Sequence, residues 1–158
     1  SKENQLVLGW SGSHSTSKYL YLLTDVLRDV YKEYSFKLIV IGDRKFSIKG
    51  LDIEALDWSE KVEIPTLQKM DIGLYPLPLD DEWVLGKSGL KAIQYMMLGI
   101  PTIATAIGAN FRVIENNDSG FLVKTEEEWK QKLIELINAP ELRKKIGLRK
   151  YRINANIH

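Results

Sequence analysis

Residues 86–105 read GKSGLKAIQYMMLGIPTIAT, and the order of their signals decides the fold. Gly86 and Gly89 permit tight backbone turns, helix formers fill residues 90–98, and Gly99 supplies the stop. Pro101 then opens PTIAT, a run apolar and β-branched enough for an inner parallel strand. A glycine loop, a short helix and a buried strand in immediate succession make an anion site. The helix start leaves unpaired amides and the positive end of its dipole facing outward from the loop, where phosphate is the natural occupant. Gln94 lies one turn beyond Leu90, on the face shared by Lys87 and Lys91. Because helical side chains lean toward the N-terminus, its amide reaches a ligand held at Gly89 and Leu90.

Strand and helix signals alternate on both sides of this stretch, with short connections and neither repeats nor low-complexity tracts, which predicts a parallel sheet. Strands are expected over residues 5–10, 36–42, 52–57, 71–76, 101–106 and 120–124. Helices are expected over 17–33, 59–69, 90–98, 110–115, 126–138 and 140–149, the last two split at Ala139 and Pro140. The fold class is therefore α/β, a Rossmann-like doubly wound parallel sheet of about six strands. Ligands of such sheets bind beyond the carboxyl ends of the strands, where the loops at 9–18, 42–44 and 86–89 emerge together.

At 158 residues and 44% hydrophobic content the chain is long enough for one self-contained domain over residues 1–158. A net charge of +1 gives no push toward nucleic acid, and the lack of cysteine removes disulfides, thiolate chemistry and cysteine-based zinc sites. No apolar run approaches spanning length and SKENQ carries no signal-peptide pattern, so a cytoplasmic setting is expected, with any membrane contact made from the surface.

Within the first loop, WSGSHST, Gly12 and Ser13 follow a strand at the edge of the expected crevice and are read as phosphate contacts, while Ser17 can cap the next helix. His14 on the same loop is either a ligand contact or a solvated side chain. Asp80, Asp81 and Glu82 invite a magnesium reading, set against a solvated turn anchored by LPL and Trp83; the turn is preferred and no metal is expected. The basic run Arg143, Lys144, Lys145, Arg149, Lys150 and Arg152 reads first as a solvated helix face, with anionic lipid as the other reading. Trp58 ends the third expected strand, where a base could stack; burial is the simpler account.

The pattern GLKAIQYMMLGIPTIAT resembles the donor-site segment of retaining family 4 glycosyltransferases of the GT-B type. Their motif is a glutamate, seven residues, a second glutamate, an alanine–methionine helix, glycine, proline and a valine-rich strand. GWSGSHSTSKYL is similar to their first strand and diphosphate loop, and MDIGLYPLP to the strand before the donor loop. IGANFRVIENNDSGFLV is similar to their glycine turn and closing strand, and EEEWKQKLIELINAPELRKKIG to their terminal helices. The first glutamate of the motif falls on Gly86 and the second on Gln94, whose amide can still bond a ribose hydroxyl. Trp10 stands where an arginine often follows the first-strand glycine, Lys18 where the phosphate lysine belongs, and Tyr19 where the family has glycine.

The resemblance implies one half of a GT-B fold, the C-terminal donor-binding half. It implies a hexosyltransferase-type enzyme of polysaccharide biosynthesis that takes a nucleotide-diphosphate sugar, retains configuration and needs no metal or other cofactor. Its acceptor, a sugar or lipid-linked sugar, would sit on an N-terminal domain absent from this chain, so the isolated domain is expected to be inactive. A peripheral place at the inner face of the membrane fits such an acceptor. Lys18, Lys87, Gly89 and Leu90 would then stabilise charge on the departing diphosphate. Two other readings stand beside this one. One is a noncatalytic nucleotide-binding or receiver-like domain, for which Asp43 is the comparable phosphoacceptor; the other is a different GT-B enzyme, such as a sugar-nucleotide epimerase.

Overall fold

The computed structural model describes residues 5–80 and 89–148. Its centre is a six-stranded, all-parallel sheet in the order β3-β2-β1-β4-β5-β6. The strands are β1 (Leu6–Ser11), β2 (Phe36–Ile41), β3 (Ile53–Leu56), β4 (Ile72–Tyr75), β5 (Thr102–Thr105) and β6 (Phe121–Val123), each inside or within one residue of its expected span. The helices are α1 (Ser17–Leu20), α2 (Thr24–Glu33), α3 (Glu60–Leu67), α4 (Leu90–Met97), α5 (Asn110–Val113), α6 (Glu126–Asn138) and α7 (Pro140–Gly147).

Period-two alternation along the inner strands divides the core into two layers. On one face Leu8, Leu38, Val40 and Ile103 pack with Val26, Leu27 and Val30 of α2 and with Trp129, Leu133 and Leu136 of α6. On the other, Ile39, Ile41 and Ala104 meet Leu67 of α3 and Ala92, Tyr95 and Met96 of α4. Helices therefore cover both faces, as an all-parallel sheet requires, and each fully buried leucine contributes about 1.5–3 kcal/mol.

Two departures from the expected elements have local causes. The single helix expected over 17–33 is interrupted by a tighter turn at Tyr21–Leu23. There the Thr24 hydroxyl donates to the Tyr21 carbonyl at 2.7 Å, competing with the helical ladder, and the Tyr21 ring stacks on Phe46 at 4.3 Å. Ser17 does not cap the helix but begins it, its hydroxyl donating to Asp43 Oδ2 at 2.6 Å and to the His14 carbonyl at 3.2 Å.

Helix α6 opens on a reciprocal capping box between Thr125 and Glu128. Backbone donors of Thr125 and Lys124 hold the Glu128 carboxyl below its ordinary range. Its far end is closed by Arg143, whose Nη1 donates to the Leu136 and Ile137 carbonyls at 2.6 and 3.1 Å. One member of the basic run is thus a structural cap, while Arg149, Lys150 and Arg152 lie outside the described residues.

Candidate functional site

A cavity of 790 Å³ opens at the carboxyl ends of β1, β2, β3 and β4. The chain leaves β1 toward β2 and β3 and then crosses back to β4 on the other side. This reversal parts the two neighbouring loops and creates the crevice. Its floor is set by a close approach of backbone. Gly42 holds φ at 112°, and a β-carbon there would lie 1.9 Å from the Gly12 carbonyl oxygen. The Gly12 amide donates to the Ile41 carbonyl at 2.9 Å, and the indole of buried Trp10 lies where a β-carbon on Gly12 would stand.

One wall of the cavity is made by side chains from β1, α3 and α4. Alternation turns Trp10 into the α2 layer and Ser11 toward α4. The Ser11 amide donates to the Tyr95 hydroxyl at 2.8 Å, and that hydroxyl donates to the Leu74 carbonyl at 3.3 Å. Burial pushes the Tyr95 phenol far above its usual range, so it stays neutral and rigidly placed. Next to it, Lys91 Nζ donates to Ser11 Oγ at 3.1 Å and to Gln94 Oε1 at 3.3 Å. Gln94 Nε2 donates to Glu63 Oε1 at 2.9 Å, and Glu63 Oε2 accepts from Trp58 Nε1 at 2.7 Å and from Ser11 Oγ at 3.4 Å. Burial holds the Lys91 ammonium below its ordinary pKa, partly offset by the Glu63 charge.

Of the residues singled out by sequence, Gly12 and Ser13 line the cavity, together with His14 and Trp58. Lys18 is exposed on α1 and does not line it; its Nζ lies 5.4 Å from the centre of the Tyr19 ring. Gln94 belongs to the network behind the wall. Neither Gly89, Leu90 nor Gln94 lines the cavity; Leu90 and Gln94 line a second groove between α3 and α4. Gly89 precedes α4 with φ at 73° and no side-chain cap. A β-carbon on it would face Val113 at 3.1 Å and Ala109 at 3.4 Å, so substitution there strains the packing against α5 as well as the backbone. Lys87, Trp83, Gly86, Asp81 and Glu82 lie outside the described residues. Among the described residues no group of three or more acidic or histidine side chains could hold a metal ion, and no helix is long and apolar enough to cross a membrane.

Asp43, the comparable phosphoacceptor of a receiver domain, has both oxygens engaged, Oδ2 by Ser17 of α1 and Oδ1 by the Lys45 amide of its own loop at 3.1 Å. Two wall residues, Glu63 and the cavity-facing Lys91, are brought in by the structure rather than by the sequence pattern. A lysine one turn ahead of the buried Tyr95, on a helix already assigned to a phosphate loop, was the available signal for Lys91. Glu63 had none, because α3 also carries the exposed Glu60 and an internal Pro65.

The sequence matches the profile of the glycosyl transferases group 1 family over residues 5–139. The chain belongs to that family. An uncharacterised glycosyltransferase of Methanocaldococcus jannaschii is 28% identical over 134 residues, a match that covers 78% of this chain and 37% of the relative. The chain thus spans little more than a third of that relative's length. The C-terminal domain of LpcC, a glycosyl transferase group 1 family protein of Francisella tularensis, superposes with a TM-score of 0.67 at 22% identity, over 98% of this chain and 87% of that one. HepE of Anabaena, solved in complex with UDP-glucose, gives a TM-score of 0.68 at 16% identity, over 97% of this chain and 46% of that one. These likenesses show the fold, the Rossmann-like half of a GT-B glycosyltransferase.

Proposed function

We propose that this group 1 glycosyl transferase chain is the donor-binding domain of an enzyme that takes a nucleotide-diphosphate sugar. The sugar would pass to a sugar or lipid-linked sugar acceptor held by an N-terminal domain of the full-length protein. The observation that carries the reading is the crevice at the β1–β4 reversal, whose cavity is lined on one side by the glycine-containing loop after β1 and on the other by the Lys91 cation of α4. In this reading the diphosphate lies between Gly12 and Ser13 on one side and the start of α4 at Gly89 and Leu90 on the other. Lys87, two residues before Gly89, adds positive charge from the sequence. The base lies toward Trp58, which is 54% exposed and so offers a free ring face. A ribose hydroxyl would compete for the Gln94 amide.

The domain's part in catalysis is to bind the leaving group and stabilise the charge that grows on it as the glycosidic bond breaks. Protein groups do this in our reading, with no metal and no nucleophile assigned in this chain. The acceptor side of the chemistry, retention of configuration included, belongs to the full-length enzyme.

Titration with UDP, GDP, ADP and their glucose derivatives, followed by amide NMR, tests the reading. One diphosphate series should bind and shift Ser11, Ser13, Trp58 and Lys91. Unchanged spectra at millimolar concentrations of all six would refute it. Product analysis with the full-length enzyme separates transfer from epimerisation of the donor.

A further inference from the structure

We propose that Lys91 is the residue that grips the diphosphate, and that Glu63 is its positioning residue, a built-in counter-charge set apart from it by two neutral bridges. The inference rests on the reading of the crevice as a nucleotide-diphosphate site and names the group that holds the anion there.

Lys91 is the only lysine or arginine among the described residues that line the cavity. Its ammonium can donate three hydrogen bonds, and the two it makes among the described residues go to neutral oxygens, Ser11 Oγ and Gln94 Oε1. Among the described residues the nearest carboxylate oxygen, Glu63 Oε2, stands 3.8 Å away, beyond hydrogen-bonding reach. Elsewhere on the sheet Lys37 and Glu54 show the opposite arrangement, a direct contact at 2.6 Å. The crevice pair is therefore a longer ion pair bridged by neutral groups, whereas the Lys37 pair is in direct contact.

The bridging is built rather than incidental. Ser11 accepts from Lys91 and donates to Glu63, and Gln94 accepts from Lys91 through its oxygen while donating to Glu63 through its nitrogen. Both bridges point their negative ends at the cation and their positive ends at the carboxylate. Ser11 is itself fixed through its amide on the buried Tyr95 hydroxyl. Glu63, with its side chain only 15% exposed, accepts from Trp58, Gln94 and Ser11, so its carboxylate is hydrogen-bonded without direct contact from Lys91. A half-buried cation with neutral partners gains most from an incoming anion, because a charged acceptor makes a stronger bond there than a hydroxyl or amide does. Glu63 also pins the Trp58 indole, so one carboxylate orients both the proposed base platform and the phosphate grip.

Calorimetry with UDP and with inorganic pyrophosphate on the wild-type chain and on Lys91→Met, Lys91→Arg and Glu63→Gln tests this, with thermal melts to verify folding. Lys91→Met should weaken both ligands roughly tenfold and flatten the salt dependence, while Lys91→Arg keeps most of the affinity. Glu63→Gln removes the competing negative charge and should raise pyrophosphate affinity about threefold. A purely structural role for the pair would lower affinity in every variant. Wild-type affinity in a folded Lys91→Met chain, or a Glu63→Gln loss as large as that of Lys91→Met, overturns the proposal. If neither ligand binds the wild type, the reading of the crevice falls first and the inference goes with it.

Discussion

The two sides of the crevice are polar in different ways. In the loop after β1, the Ser13 amide donates to Thr16 Oγ1 at 3.0 Å, the Ser13 and Ser15 hydroxyls meet at 2.8 Å, and Ser17 is bound to Asp43 at 2.6 Å. Its hydrogen-bonding capacity goes largely into its own shape. Across the cavity, the wall from α3 and α4 carries one cation and one carboxylate separated by neutral bridges. The first side supplies contour and the second supplies charge. A ligand-binding cleft needs both, and here they come from segments far apart in the chain.

The largest effect should come from breaking the contour. Gly42→Ala places a β-carbon 1.9 Å from the Gly12 carbonyl oxygen, in a backbone conformation at φ 112° that only glycine adopts readily. Neither loop can yield without losing the Gly12-to-Ile41 or Gly42-to-Leu56 backbone bond, at 2.9 and 2.8 Å. A loss of about 3 kcal/mol in stability is expected, measured by urea unfolding. A midpoint within error of wild type would show that the loops are not locked against each other.

A smaller and more selective effect is expected on the charged side. Trp58→Ala removes a half-exposed ring whose nitrogen is held by Glu63 at 2.7 Å. If a base stacks there, UDP affinity should fall by about 1 kcal/mol while inorganic pyrophosphate is unaffected, because base stacking and phosphate contact are separate contributions. Equal losses for both ligands would mean that Trp58 acts only by supporting Glu63.

The same division separates what was legible in the sequence from what was not. Contour is written locally: glycines at 12, 42 and 89, strand alternation and the proline after Gly99 all act through near neighbours, so the sheet and its crevice followed from pattern. The interruption at Tyr21–Leu23 escaped because it depends on a side-chain bond from Thr24 that periodicity does not report. The charged wall escaped for a deeper reason. Glu63 and Lys91 meet only through the relative rotation of α3 and α4 on the sheet, 28 positions apart in the chain. Gln94 was identified as polar and suitably placed, but that it would bridge two charges could not be read from its own helix.

Lys18 gives the smallest expected effect and the sharpest test of the contrast. It belongs to the contour side, on α1, exposed to solvent and near the Tyr19 ring rather than in the cavity. A solvated ammonium outside the cavity acts on the diphosphate only through screened attraction, and at about 0.15 M salt that attraction fades within about 8 Å. Lys18→Ala should therefore change UDP affinity by less than about twofold at that salt, with a somewhat larger loss at low ionic strength. Lys91→Met should stay weakened under both conditions, since a half-buried contact is screened less. Measuring both variants at two salt concentrations places the charge on one side of the crevice or the other. A Lys18→Ala loss that matched Lys91→Met at high salt would move the phosphate grip onto the first loop, and the wall formed by Ser11, Glu63, Lys91 and Gln94 would then be a packing device that happens to carry charge.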